Sequence, residues 1–515
     1  MRSTFAGFTT ARLAMRASQK ALNVTGQNIA NINTPGYTRQ RLDLVSLHNG
    51  QGTERYKSNY AVSIGNGVLA TGVSQIRDPF LDLRFRNEIA SVGGAEQKAE
   101  ILKDLENIFD EVSKNGIQNQ MSDIGTMLQK LSDNVGNQEF DNMVKASADV
   151  LTKMLNQYAN QLETIKSDQI YNLEKVDIPA VNDILNNIQS LNESIKTSHV
   201  YGSGALELID QRNLLIDELA SYMDIEVKMH KESITGDPNG RQIETMQIKL
   251  KGTDISLVDD NKAGKLMVTD TADPANTKYG LKLTGPSNVD DINVSVPPNG
   301  PPLKNGVLKS TLDMMNLKGE FDGSNIRGIG YYEESLNLFA KQVADTFNEL
   351  NNIDKANPKK YDLFGTNDGE EITAKNIKIS DAWIKGEINI NPAKDGSTTG
   401  KNDNILAMID SLKSKKDYTV VNGATIFNGT FQEYFTNIGS VLGLDIKSTD
   451  SLLDNYTTVA TDIANMRDNI SRVSLDEEGM NILHYQKSYN AAARLMTALD
   501  EAISTIISNM GVVGR

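Results

Sequence analysis

The sequence predicts a mainly α fold with inserted β-rich domains, and three observations carry that prediction. Narrow apolar seams of heptad type stand at both ends of the chain, and similar stripes fill residues 80–224. At about residue 225 the apolar period switches from helical to strict alternation. Seams at opposite ends predict paired, coiled-coil-like N- and C-terminal helices with everything else nested between them.

The first element is an amphipathic helix over about 3–31. Phe8, Met15, Leu22 and Ile29 stand seven residues apart, and the small Ala11, Ser18 and Thr25 beside them let a partner helix come close. Asn31 to Tyr37 ends it. In Thr34-Pro35-Gly36-Tyr37 the proline presets the first central turn position, and Gly36 takes the positive φ of a type II turn. From Thr38 to about Pro79, alternations such as Leu42-Asp43-Leu44 and glycine turns at Gly50 to Gly52 and Gly65 to Gly67 predict extended chain.

A helical bundle domain follows. Met121, Ile124, Leu128, Leu131 and Val135 keep a 3-4 spacing, as do Val144, Ala148, Leu151, Leu155, Tyr158 and Leu162. Breaks are expected near 115–120, 136–138 and Pro179. Ile209, Arg212, Ile216, Leu219 and Met223 put a guanidinium on the inner face of the last helix. Arg212 there either snorkels to solvent or pairs with a carboxylate of another helix, which would fix bundle register.

Ile225–Met229, Met246–Leu250 and Ile292–Val296 then alternate apolar and polar residues as strands do, and prolines 297, 298, 301 and 302 close the region. Helix is expected again over about 328–352. A second insert over 353–427 is rich in Gly, Asn, Asp and Lys and holds the only tryptophan, Trp383. Helix resumes near 429, with a loop expected near 444–448. The last seam is the cleanest: Ile482, Tyr485, Tyr489, Ala492, Met496, Leu499, Ile503, Ile506 and Met510. The expected layout is a terminal-helix inner domain (1–37 with 471–515), a helical axial domain (38–225 with 306–352 and 428–470), a β-rich outer domain (226–305) and a small inserted region (353–427).

Composition removes most chemistry. With no Cys, thiol catalysis, disulfides and Cys-based metal sites are excluded, and the four His, at 48, 199, 230 and 484, form no local ligand pair. No phosphate-binding loop, His-Glu-x-x-His or Gly-x-Ser-x-Gly motif occurs, and Gly365–Gly369 lacks the acids of a calcium loop. The sequence offers no catalytic residues, no cofactor and no metal site. A net charge of −15 disfavours nucleic acid or an anionic membrane as partner. Residues 1–42 nevertheless carry six basic groups and no acid, a bias shared with transit peptides that the Gly, Asn and Thr turns after the helix fit poorly. There is neither an 18-residue apolar run nor an N-terminal apolar core, so neither membrane insertion nor a cleaved export signal is expected. Two narrow-seam helices need neighbouring copies to bury their faces.

Four stretches resemble one family, the bacterial flagellar axial proteins. Asn28-Ile29-Ala30-Asn31-Ile32-Asn33-Thr34-Pro35-Gly36-Tyr37-Thr38-Arg39 is similar to the N-terminal signature of rod, hook and hook-associated members. Gly65-Asn66-Gly67-Val68, with Arg77-Asp78-Pro79-Phe80-Leu81 and Arg86, matches the next block. Asp210 to Leu219 resembles a block found in hook-associated members and lacking from simple rod and hook proteins. Val473 to Glu478, Tyr485 to Tyr489 and Ala493-Arg494 resemble the terminal motif. The resemblance implies a structural subunit, exported through the flagellar type III apparatus to the hook–filament junction outside the cell. It implies a ring of about eleven copies of the chain, with hook protein below, another hook-associated junction protein above and a cytoplasmic export chaperone on the C-terminal helix. The self-association residues would be those of the two seams with the turn at Asn31, Pro35, Gly36 and Tyr37, and Asp210 and Arg212 would set bundle register. A hook or distal rod subunit, or an axial protein with an adhesin or enzymatic insert, is the alternative.

Overall fold

A computed structural model describes residues 6–47, 67–109, 116–233, 242–270, 278–286, 292–293, 303–353, 360–366, 369–397, 400–420 and 423–510. Helix α1 (Ala6–Ala30) leads into the antiparallel hairpin β1 (Gln40–Ser46) and β2 (Val68–Gln75). The glycine turns expected at 50–52 and 65, and His48, lie outside the described residues. Helices α2 (Pro79–Phe109), α3 (Ile117–Asp133), α4 (Gln138–Asn172), α5 (Ile178–Val200) and α6 (Leu206–Tyr222) form the helical block. No break occurs at Pro179. A π-helical turn, Leu173–Asp177, joins α4 to α5, and proline sits in the first turn of α5, where its missing N–H and fixed φ are tolerated.

Strands β3 (Ile225–Ser233), β4 (Gln242–Leu250), β5 (Ser256–Asp259) and β6 (Lys262–Ala263) form one antiparallel sheet. A second holds β7 (Lys265–Asp270), β8 (Tyr279–Thr284) and β9 (Ile292–Asn293), and the residues after Asn293 expected to prolong that strand lie outside the described residues. After α7 (Val307–Asn316) and α8 (Ile329–Asn351) come the short pair β10 (Phe364–Gly365) and β11 (Lys378–Ile379), α9 (Asp381–Ile384), α10 (Asp403–Lys413) and the hairpin β12 (Lys416–Thr419) and β13 (Thr425–Gly429). Helix α11 (Phe431–Ser471) and helix α12 (Leu475–Met510) close the chain.

The loop expected near 444–448 is absent, and α11 runs unbroken through it. A reciprocal capping box between Thr430 and Glu433 starts the helix. Arg327 and Tyr332 hold Asp445 from the side, and these tertiary bonds outweigh the modest cost of Gly443 inside a helix. The break falls instead at 472–474.

Two cores organise the molecule. The first joins α2, α3, α4, α8, α10 and α11, and α2 lies antiparallel to α11, with Phe109 near Phe435 at one end and Arg467 over Phe85 towards the other. Residues expected as a separate small insert, among them Phe364, Ile379, Trp383, Met408 and Tyr418, lie inside this core. The segment expected as a separate insert is tied to the helices through its backbone and its tryptophan: Asn351 of α8 donates to Tyr361 O and accepts from the Asn391 N–H, and buried Asp141 of α4 accepts from the Ile390 N–H and the Trp383 indole. The second core packs strands β3–β8 onto α5, α6 and α7 through Ile184, Ile188, Ile216, Leu219, Ile248, Leu257 and Leu283. The β-rich insert thus shares its core with the helices, and Asn182 fixes the seat by two bonds to the Leu266 backbone.

Candidate assembly interface

Helices α1 and α12 lie antiparallel. Gly7 faces Leu499, where an added Cβ would fall 2.9 Å from a leucine methyl, and Ala21 and Thr25 share a cleft of about 210 Å3 with Glu478 and Tyr485. The close approach is built by small side chains. Ala11, Ala17, Ser18, Ala21, Thr25 and Asn28 are the buried residues of α1, whereas Phe8, Met15, Leu22 and Ile29 are only half-buried. On α12, Ala492 is buried, while Ile482, Tyr485, Met496, Leu499 and Ile503 are half-buried. Tyr489 is 36% exposed and Ile506 48%, and the Met510 side chain lies outside the description. With only α12 and the β1–β2 hairpin beside α1 among the described residues, the large apolar residues of the pair are not enclosed as they are in the two cores.

The turn after α1 fastens this coil to the bundle. Gly36 has φ +74°, and the Tyr37 N–H donates to Thr34 O, as a type II turn requires. Pro35 lies in the same turn, and the Asn31 amide donates to Gln27 O and accepts from the Thr34 hydroxyl. Buried Asn28 bonds both backbone groups of Gln40 and accepts from the Tyr37 hydroxyl. Thr38 donates its N–H (3.0 Å) and hydroxyl (2.6 Å) to Asp210 of α6. Asp210 therefore ties the extended segment to the bundle. Burial raises the Asp210 carboxyl, opposed by the two Thr38 bonds and Arg77, and burial beside Glu207, Asp210 and Glu478 pushes the Tyr37 phenol up to about 12.

Beside the turn a chain of alternating charges joins α2, α6 and α11. Arg86 reaches Asp217 at 2.7 Å, Asp217 reaches Arg467 at 2.5 Å, and Arg77 reaches Asp82 at 2.5 Å. Arg39 donates to Glu477 and Glu478 at the start of α12, and its N–H bonds Ser471 O. The turn, Arg77, Asp217 and Arg467 line a cleft of about 380 Å3. Sequence reasoning did not assign site roles to Asn28, Thr38, Arg77, Arg86 and Asp217, although all stand in or next to the family blocks. Arg467 carries no local signal, since its partners lie some 250 and 385 positions away.

Arg212 does not snorkel. It is fully buried and donates to Asn192 of α5 (3.1 Å) and Glu244 of β4 (2.8 Å). The expected carboxylate partner on another helix is thus on a strand. An inner-face guanidinium at this end of α6 meets the sheet that covers it, so Arg212 pins the β-rich insert onto the helices.

The terminal helices thus pair on a hairpin with all other domains nested between them, and their apolar face is left half-covered. Among the described residues no group of three or more metal-ligating side chains occurs, and no helix is long and apolar enough to cross a membrane. The family described as "Flagellar hook-associated protein FlgK helical domain" matches residues 102–367, and "Flagella basal body rod protein" matches 8–38. Flagellar hook-associated protein 1 of Bacillus subtilis (strain 168) is 30% identical over the whole of both chains, and that of Escherichia coli (strain K12) 22% over 96% of this chain and 98% of its own. The flagellar hook junction protein FlgK from Burkholderia pseudomallei shares the fold, with a TM-score of 0.56 at 12% identity over 76% of this chain and all of its own. The chain belongs to the flagellar hook-associated protein FlgK family. It is a structural component of the bacterial flagellum, exported outside the cell and assembling with hook and other axial proteins.

Proposed function

We propose that this chain forms the first ring above the hook, about eleven copies joined through their terminal coils, on which the next junction protein and then the filament are laid. The observation that carries this reading is the half-buried α1–α12 pair: Phe8, Met15, Leu22, Tyr489, Leu499 and Ile506 keep apolar surface that a single copy leaves in water. Neighbouring coils bury that surface in the ring, and a cytoplasmic chaperone covers the α12 part of it before export. The role is structural rather than catalytic. Removing residues 1–32, or 475–515, leaves the two cores folded and exported but stops filament growth, so hooks without filaments appear by electron microscopy. Motile cells carrying either truncation, with export intact, refute the reading.

A further inference from the structure

Between α3, α10 and the first turn of α11 runs a groove of about 500 Å3. Ile409 and Leu412, backed by buried Met121 and Phe431, give it an apolar floor, and Lys130 and Lys413 stand on its rim. Both lysines are exposed, and neither has a carboxylate within ion-pair distance among the described residues. Two unpaired cations beside an apolar floor select an occupant that is apolar and acidic.

The chain carries such an element. On α12, Asp476, Met480 and Leu483 stand at i, i+4 and i+7 and so share one face, turned away from the α1-facing seam of Ile482, Tyr485 and Tyr489. Met480 is 63% exposed and Leu483 58%. Glu477 and Glu478 are engaged by Arg39, whereas Asp476 has no ion-pair partner among the described residues. Within one copy this face cannot enter the groove. The groove sits at the first turn of α11 and Asp476 lies just past its last, and 41 residues of straight helix separate them by about 60 Å.

We propose that the Asp476–Met480–Leu483 face of one copy docks into the α3–α10–α11 groove of a second copy, Met480 and Leu483 on the floor and Asp476 between Lys130 and Lys413. The contact is head-to-tail, the kind that generates rings or helical arrays rather than closed two-fold dimers. It rests on the assembly reading but uses a surface separate from the terminal seam.

A chain without cysteine makes the test direct. Thr126→Cys, at an exposed position lining the groove, and Leu483→Cys are placed on separate copies expressed together, and isolated hook–filament junctions are treated with copper phenanthroline. The expected product is a disulfide-linked dimer that is absent when Ser190→Cys on exposed α5 replaces Leu483→Cys. Lys130→Glu with Lys413→Glu lowers its yield about tenfold, and Asp476→Lys restores it. The thiol of the Thr126→Cys variant also reacts about tenfold more slowly with a water-soluble maleimide in assembled junctions than in the free chain. Junctions that contain both variants but give no dimer overturn the proposal. Protection of the Thr126→Cys thiol without a dimer assigns the groove to another protein and overturns it too. If the chain is missing from the junctions altogether, it is the assembly reading that fails.

Discussion

Two long antiparallel helix pairs, α2 with α11 and α1 with α12, are joined end to end through Arg472 to Ser474, yet they are built by opposite rules. Where the end of α2 meets the start of α11 the contacts are large and closed: Phe109 and Phe435 pack ring against ring with Tyr332 and Phe339 of α8, and Tyr418 of β12 stacks on Tyr434 at 3.8 Å. Between α1 and α12 the buried residues are small, and the large ones are half in water. The first pair is enclosed, with α3, α4, α8 and α10, in one core. The second makes a close backbone approach and keeps apolar surface on its large side chains, the surface proposed above to meet a neighbouring copy. A protein exported as a single chain and assembled afterwards needs both kinds.

Substitutions sharpen this contrast, and the largest effect belongs to the closed pair. Phe435→Ala empties the centre of the aromatic cluster and should cost about 3–5 kcal/mol in denaturant melts. Arg212→Met should cost about 3 kcal/mol, because Glu244 and Asn192 lose their shared donor inside the molecule. Asp177→Asn should act in the opposite direction. Burial, with Glu100 nearby, pushes its carboxyl up to about 6, so the folded state holds this proton more tightly than the unfolded chain. The stability that the proton contributes is full below about pH 4 and lost as pH rises through 6. Asp177→Asn should therefore stabilise by roughly 1–2 kcal/mol at pH 7, after discounting for its partial exposure, and by nothing at pH 4. Tyr418→Phe removes a buried hydroxyl without a hydrogen-bond partner and should stabilise by about 1 kcal/mol. Leu499→Asp should move the melting of the two cores by less than about 1 kcal/mol, since it lies in the open pair, while abolishing incorporation at the hook tip. A large loss of core stability in Leu499→Asp would show that α12 is needed by its own subunit, and the contrast between the pairs would collapse.

The sequence by itself determined the helical class, the pairing of the two ends and the turn at Asn31 to Tyr37, because each rests on local spacing: seven-residue seams, and a proline–glycine order that fits one turn type. It also marked Arg212 as an inner-face charge and, through the family resemblance, Asp210 as a register residue. Only the tertiary structure decided what those charges meet. Arg212 finds Glu244 on a strand and Asp210 finds Thr38, 172 positions away, and no periodicity encodes a partner at that separation. The same limit hid the burial of 360–420. Its Asn and Asp residues look like loop chemistry until its backbone is seen bonding Asn351 of α8 and Asp141 of α4. The sequence pointed to Ala11, Ser18 and Thr25 as the close-approach residues, but not to how open the large stripe beside them stays. Heptad spacing favours the large Phe8–Ile29 stripe, but the approach of α12 and the hairpin buries the small residues, because helix backbones come closest where side chains are shortest.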